Sequence, residues 1–192
     1  MKLALFPVNV FLLPGGVTRL RIFEARYKRL VAQAMASGQG FGLCLPNGEK
    51  GLYPIATRVE IYDFGQDENG LLTIDIKAIE RFTYTNISSD SDGLLHADVT
   101  VIKDWQATEM HSQYQFMLAP LKMVLTAHPL YAQQDKQQTF DNLSWICQRW
   151  LEILPIPVDK KYWLASQSSL VPSIDFIREV IEESNKVSHA VD

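Results

Sequence analysis

The spacing of apolar residues changes once along this chain, near Asp104, and that change limits what it can fold into. Before it, short apolar runs and two-residue alternation are punctuated by turns. Thr18-Arg19-Leu20-Arg21-Ile22 sends Leu20 and Ile22 one way and both arginines the other, as a half-buried strand requires. Pro14-Gly15-Gly16, Asn69-Gly70 and Asp90-Ser91-Asp92-Gly93 are turn sequences, because proline fixes φ and glycine accepts positive φ. Strands are predicted over 2–6, 10–13, 18–22, 41–45, 55–64, 71–79, 81–87 and 95–102. One helix interrupts them, from Glu24 to Ser37, with Tyr27, Leu30, Val31, Ala34 and Met35 as its buried stripe and Gly38 as its stop.

After Asp104 the apolar period is helical. Met110, Tyr114, Met117, Leu118, Leu121 and Leu125 make one stripe, with Pro120 expected to kink it and Pro129 to close it. The polar stretch 133–138 reads as a linker. Leu143, Ile146, Cys147, Trp150, Leu151 and Leu154 make a second stripe that Pro155 ends. Pro157 is placed to open a short helix through Ala165, and a last helix is predicted over 173–185. The four tryptophans, Trp105, Trp145, Trp150 and Trp163, read as helical-core or interdomain residues. Strands first and helices second predict an α+β protein of two units, 1–103 and 104–192. Short strands between frequent turns point to a small closed or nearly closed barrel in the first.

Composition narrows the function. The 192 residues carry a formal charge of -4, which disfavours a general nucleic-acid binder, since such proteins need a basic face to displace counterions. Two cysteines, Cys44 and Cys147, are too few for a secreted disulfide scaffold and read as reduced, buried thiols. The apolar start, Leu3 to Leu13, is broken by Pro7 and Asn9 and lacks a cleavage pattern after it. No stretch reaches the roughly 20 apolar residues of a membrane span. The expectation is a cytoplasmic protein without membrane contact.

The residues that invite a catalytic reading do not sustain it. Gly38-Gln39-Gly40-Phe41-Gly42 follows a helix and opens a strand, the reverse of a dinucleotide turn. Gly42 to Lys50 lacks phosphate-loop spacing, and Gly51 stands where a magnesium-binding Ser or Thr belongs. His96, His111, His128 and His189 are scattered without ligand spacing, and no nucleophile elbow occurs. No catalytic residue, metal site or cofactor is expected, and the chain is read as a non-enzyme. Five cations, Arg19, Arg21, Arg26, Lys28 and Arg29, fall within eleven residues against Glu24 alone. They read as solvent-facing ion pairs or as a contact for an acidic segment.

Leu5-Phe6-Pro7, then Val10-Phe11-Leu12-Leu13-Pro14-Gly15, then Leu20-Arg21-Ile22-Phe23-Glu24-Ala25-Arg26-Tyr27 resembles the opening of the Lon protease N-terminal domain. Phe41-Gly42, Ile55 to Ile61, Glu80-Arg81-Phe82, and in the helical half Trp150 to Pro155, Lys160-Lys161 and Trp163-Leu164 extend the resemblance over nearly the whole chain. It departs from the family at Ala25, where proline is usual, and at Ala56 and Ala78, where glycine is. The resemblance implies a PUA-like β-barrel with one inserted helix, followed by a helical bundle. It implies a stand-alone form, without the family's ATPase and peptidase modules, that recognises unfolded or extended polypeptide and admits a separate protease or ATPase as partner. RNA binding, suggested by the PUA-like barrel, is the alternative. Binding is expected at an apolar groove between barrel and helices or at a free barrel edge, with Phe11, Phe23, Arg26, Tyr27, Phe64, Arg81 and Phe82 as contact residues.

Overall fold

In the computed structural model, which describes residues 1–132 and 140–189, the chain divides into two compact units, Met1–Asp104 and Trp105–Asp192. The first holds six strands, β1 (Lys2–Pro7), β2 (Val17–Ile22), β3 (Phe41–Cys44), β4 (Ile55–Gln66), β5 (Leu72–Ser89) and β6 (Leu95–Val101), with helix α1 (Ala25–Ser37) between β2 and β3. The sheet order is β2-β5-β4-β3-β1-β6, and β5 also pairs with β6, so β1, β3, β4, β5 and β6 form a closed ring. This is the α+β class that the sequence predicts, and the ring is the barrel.

The length of β5 makes the closure possible. Its first part, Leu72 to Lys77, pairs with β2, and its second part, from Phe82 on, pairs with β6. The sequence reads this span as two strands, 71–79 and 81–87. It is one continuous strand because β4 accompanies it from Leu72 to Thr83, across the break that the sequence suggests, absorbing the twist in irregularities between Arg58 and Val59 and between Ile61 and Asp63. Among the described residues β2 has no strand partner besides β5, so its outer edge is a sheet edge.

The predicted strand at 10–13 is not formed. Residues 8–16 are a loop whose apolar residues serve packing, with Leu12 and Leu13 buried. Its backbone is satisfied piecemeal: the Thr57 hydroxyl donates to the Leu12 carbonyl at 2.7 Å, and Gly15 N–H donates to Ala78 at 2.8 Å. Pro7 ends β1 just before it.

Two clusters fill the barrel unit. One packs Tyr27, Leu30, Val31 and Ala34 of α1 against Phe6, Leu20, Ile22, Phe41, Ile74 and Ile76. Met35, predicted in that stripe, is half exposed. The other gathers Leu3, Leu5, Cys44, Ala56, Phe82, Ala97 and Val99. The glycine run after α1 is structural. Gly38 stops the helix in the left-handed conformation at φ 66°. A Cβ on Gly40, at φ 70°, would stand 2.0 Å from the Val59 carbonyl oxygen, so the strands meet there only without a side chain.

The second unit holds α2 (Leu118–Ala127), α3 (Pro129–Ala132), α4 (Leu143–Ile153), α5 (Val158–Ser166) and α6 (Val171–His189), with a 3-10 segment at Ser112–Met117. Pro120 kinks nothing, because the continuous helix expected there is already divided: the 3-10 segment precedes, and Pro120 falls in the first turn of α2. Pro129 opens α3 rather than closing α2, which ends at Ala127. The expected linker at 133–138 lies outside the described residues. Asn142 caps α4, its side chain accepting from the backbone N–H groups of Ser144 and Trp145. The core joins Met117, Leu121, Leu125, Leu143, Ile146, Cys147, Trp150, Ile174 and Ile177. Trp163, read as a helical-core or interdomain residue, is 51% exposed, with Lys160 Nζ 5.1 Å above its ring.

Polar groups are buried here as well. Arg149 is fully enclosed and holds both Glu152 carboxylate oxygens at 2.7 Å. Lys161 donates to the Glu152 carbonyl at 2.7 Å, and burial lowers its pKa against the opposing pull of the Glu152 charge.

Candidate functional site

Within the barrel unit an open groove of about 630 Å³ runs beside β2. Its buried lining includes Phe6, Leu20 and Tyr27, and its exposed lining Arg19, Arg21 and Phe23. The β2 alternation explains the division. Leu20 and Ile22 enter the core while Arg19 and Arg21 point to solvent. Phe23 continues the outward phase at the corner between β2 and α1, where Glu24 is still extended at ψ 141°. The result is a phenylalanine that is 66% exposed at the entrance to an apolar recess.

Behind it, α1 supplies the wall. The Phe6 and Tyr27 rings lie 4.2 Å apart, and the Arg26 guanidinium sits 4.7 Å above Tyr27. Arg26 is held by Glu24 at 2.7 Å and donates to the Gly93 carbonyl at 3.3 Å. Burial raises the Tyr27 pKa, with the Arg26 charge opposing, so the phenol stays neutral.

The arginines on β2 are anchored from beneath. Arg19 makes a bidentate pair with Asp75, at 2.6 and 2.7 Å. The Asp75 side chain is 5% exposed and that of Arg19 58%, so the cation is what faces outward. Arg21 approaches Asp67 at 3.3 Å, outside hydrogen-bond geometry, with side-chain exposures of 64% and 9%. The other oxygen of Asp67 is occupied by the N–H groups of Asn69 and Leu71 in the hairpin loop. Arg29 lies apart from the groove lining, pairing with Asp90 and Asp92, whose pKa values it lowers through hydrogen bonds.

Of the residues expected to make contacts, the groove brings together Phe23, Arg26 and Tyr27. Phe11 is half-buried in the loop after β1. Phe64 is 65% exposed near the end of β4 but does not line the groove. Phe82, 1% exposed, packs in the second barrel cluster, and Arg81, 6% exposed, reaches Asp104 at 2.7 Å. Neither offers surface to a ligand: as successive residues of β5 they point to opposite faces, and both are buried there. Phe6 and Leu20 carry no contact signal in the sequence; the β2 alternation points Arg19 and Arg21 outward, in keeping with their reading as ion pairs or an acidic-segment contact, but nothing in the sequence says that β2 is an edge.

The described residues include no group of three or more His, Cys, Asp or Glu arranged for a metal ion. Burial pushes both thiols, Cys44 and Cys147, up to about 12, which leaves them protonated and unreactive near neutrality. No helix among the described residues is long and apolar enough to cross a membrane.

Residues 2–183 match the model of the ATP-dependent protease La (LON) substrate-binding domain. The fold is similar to the Lon N-terminal domain protein from Xanthomonas campestris, with TM-score 0.70, 25% identity, and coverage of 93% of this chain and 98% of that one. It is also similar to the N-terminal domain of Mycobacterium avium complex Lon protease, with TM-score 0.62, 15% identity, and coverage of 95% and 98%. No curated protein sequence matches the chain. The family model takes in both units and nearly every residue of the chain, which therefore belongs to the Lon substrate-binding domain family.

Proposed function

We propose that this chain is a non-catalytic polypeptide-binding module that holds unfolded or extended protein segments in the groove beside β2. The observation that carries this reading is Phe23, two-thirds exposed at the mouth of a recess lined by Phe6, Leu20 and Tyr27. A large aromatic left in water at an apolar recess is the arrangement that apolar side chains of a partner would cover. The family's description as a substrate-binding domain supports it. So does the absence of an organised acid, base or nucleophile among the described groove residues, whose carboxylate, Glu24, is engaged with Arg26. A protease or ATPase acting on the held segment is the partner this reading expects.

RNA is the weaker reading. A polynucleotide needs a continuous basic stripe with interleaved aromatics. Here Arg19, Arg21, Arg26 and Arg29 each face a carboxylate.

The test is binding of a permanently unfolded client protein to the purified chain. The intact chain is expected to bind it and to ignore the same client when folded. Phe23→Ser should weaken binding by about tenfold or more, as loss of a central aromatic contact does, and leave the thermal midpoint unchanged. Equal affinity of the two chains, or no affinity in either, would defeat the proposal.

A further inference from the structure

The groove has a sheet edge as one wall, and that fixes how a segment would lie in it. β2 pairs with β5 along Val17 to Ile22, and among the described residues no strand takes its other side. From Thr18 to Ile22 such an edge offers alternate N–H and C=O groups, a template for one more strand. Arg19, Leu20 and Arg21 of that strand line the groove. A chain added here would therefore run along the groove with every second side chain directed into the recess of Phe6 and Tyr27.

The charges indicate which segments fit. Arg19, Arg21 and Arg26 line the groove against Glu24 alone. The carboxylates that answer Arg19 and Arg21 are buried beneath them, so it is the guanidinium groups that a chain laid along β2 would meet. Arg21 is the least satisfied of the three, its contact with Asp67 falling outside hydrogen-bond geometry while Asp67 serves the hairpin loop. A carboxylate from a neighbouring strand would meet a charged donor there, as opposite charges do across strand pairs.

We propose that the groove binds its polypeptide by strand addition to β2, and selects segments in which a large apolar residue is flanked by Asp or Glu. This rests on the polypeptide-binding reading above and specifies the mode and sequence class.

The experiment uses the full chain and synthetic peptides that span the six residues of β2. One peptide carries an aromatic residue with acidic neighbours, a second the same aromatic residue with lysine neighbours. Two further copies of the acidic peptide are N-methylated at alternate positions, in one phase or the other. The acidic peptide should bind about tenfold tighter than the lysine peptide, with the gap closing as salt is raised. Arg21→Gln should narrow the same gap. Methylation in the phase that faces β2 should abolish binding, and methylation in the opposite phase should leave it within about twofold, because only alternate amides of an added strand face the edge. Equal binding of the acidic and lysine peptides, or equal sensitivity of the two phases, would overturn strand addition even if unfolded clients still bind, and polypeptide binding would stand. Failure of every peptide and every unfolded client would remove both proposals.

Discussion

The barrel unit and the helical unit treat charge differently. In the barrel, each ion pair keeps one partner in water: Asp75 is buried beside a 58% exposed Arg19, and the buried Arg81 reaches an Asp104 that is 24% exposed. In the helical unit both partners are sealed, Arg149 at 0% and Glu152 at 8%. A half-open pair can relax into solvent when broken and contributes little. A sealed pair cannot, and its worth shows mainly as the cost of losing one member. The barrel thus turns Arg19 and Arg21 outward beside the groove, whereas the helical unit encloses Arg149 within its packing.

The largest expected effect follows from the sealed pair. Arg149→Met takes the cation from the Glu152 carboxylate, which keeps the neutral Tyr131 hydroxyl, inside the helical unit and should cost about 3–5 kcal/mol, read as a shift of the urea midpoint. Arg81→Met leaves Asp104 with access to water and should cost clearly less. Equal losses would erase the distinction between the units.

The thiols sharpen the comparison, because each unit has one. Cys44 lies in a barrel cluster and Cys147 in the helical core, and burial raises both from an ordinary value of 9.0 to about 12. A raised folded value means that the folded state keeps its proton while the unfolded state loses it. The stabilisation is therefore complete below about pH 9 and declines as pH climbs from there toward 12. At pH 10 each thiol should account for a loss of about 1.4 kcal/mol relative to neutral pH. Cys44→Ala and Cys147→Ala should each remove its own share of that alkaline slope in denaturation curves at graded pH. A slope that ignores one substitution would mean that its thiol is open to water.

What could be read in advance divides along the same line. The barrel's strands were legible wherever alternation survived, as at Leu20 and Ile22, and the outward phase of that alternation already placed Arg19 and Arg21 on the surface. Pairing partners were not legible. That β5 runs unbroken for 18 residues, and that β2 ends the sheet, depends on contacts between distant segments. Phe82 was indistinguishable from Phe23 as a candidate contact, since burial of an aromatic is decided by what packs over it. The Val10 to Leu13 run misled because a buried loop is apolar for the same reason a strand is. In the helical unit the stripe of Leu143, Ile146 and Trp150 was clear, but α4 is enclosed on its polar side too, and nothing in the spacing marks Gln148 and Arg149 as buried.

The smallest effect concerns how each unit starts a helix. Asn142 accepts the N–H groups of Ser144 at 3.0 Å and Trp145 at 3.3 Å, satisfying two donors that α4 would otherwise leave open. Glu24 occupies the same position on α1 without a side-chain bond to any backbone N–H of the helix, its carboxylate turned to the Arg26 side chain. Asn142→Ala should therefore cost about 1 kcal/mol, and Glu24→Ala no more than a few tenths, because a surface pair is all that it loses. Helix α4 sits in the core of its unit, so the Asn142 loss should appear in global unfolding. Helix α1 borders the groove, and a weak start there is compatible with a wall that adjusts to what it holds. Equal costs at the two positions would show that α1 is capped as firmly as α4, and that the groove is backed by a rigid wall.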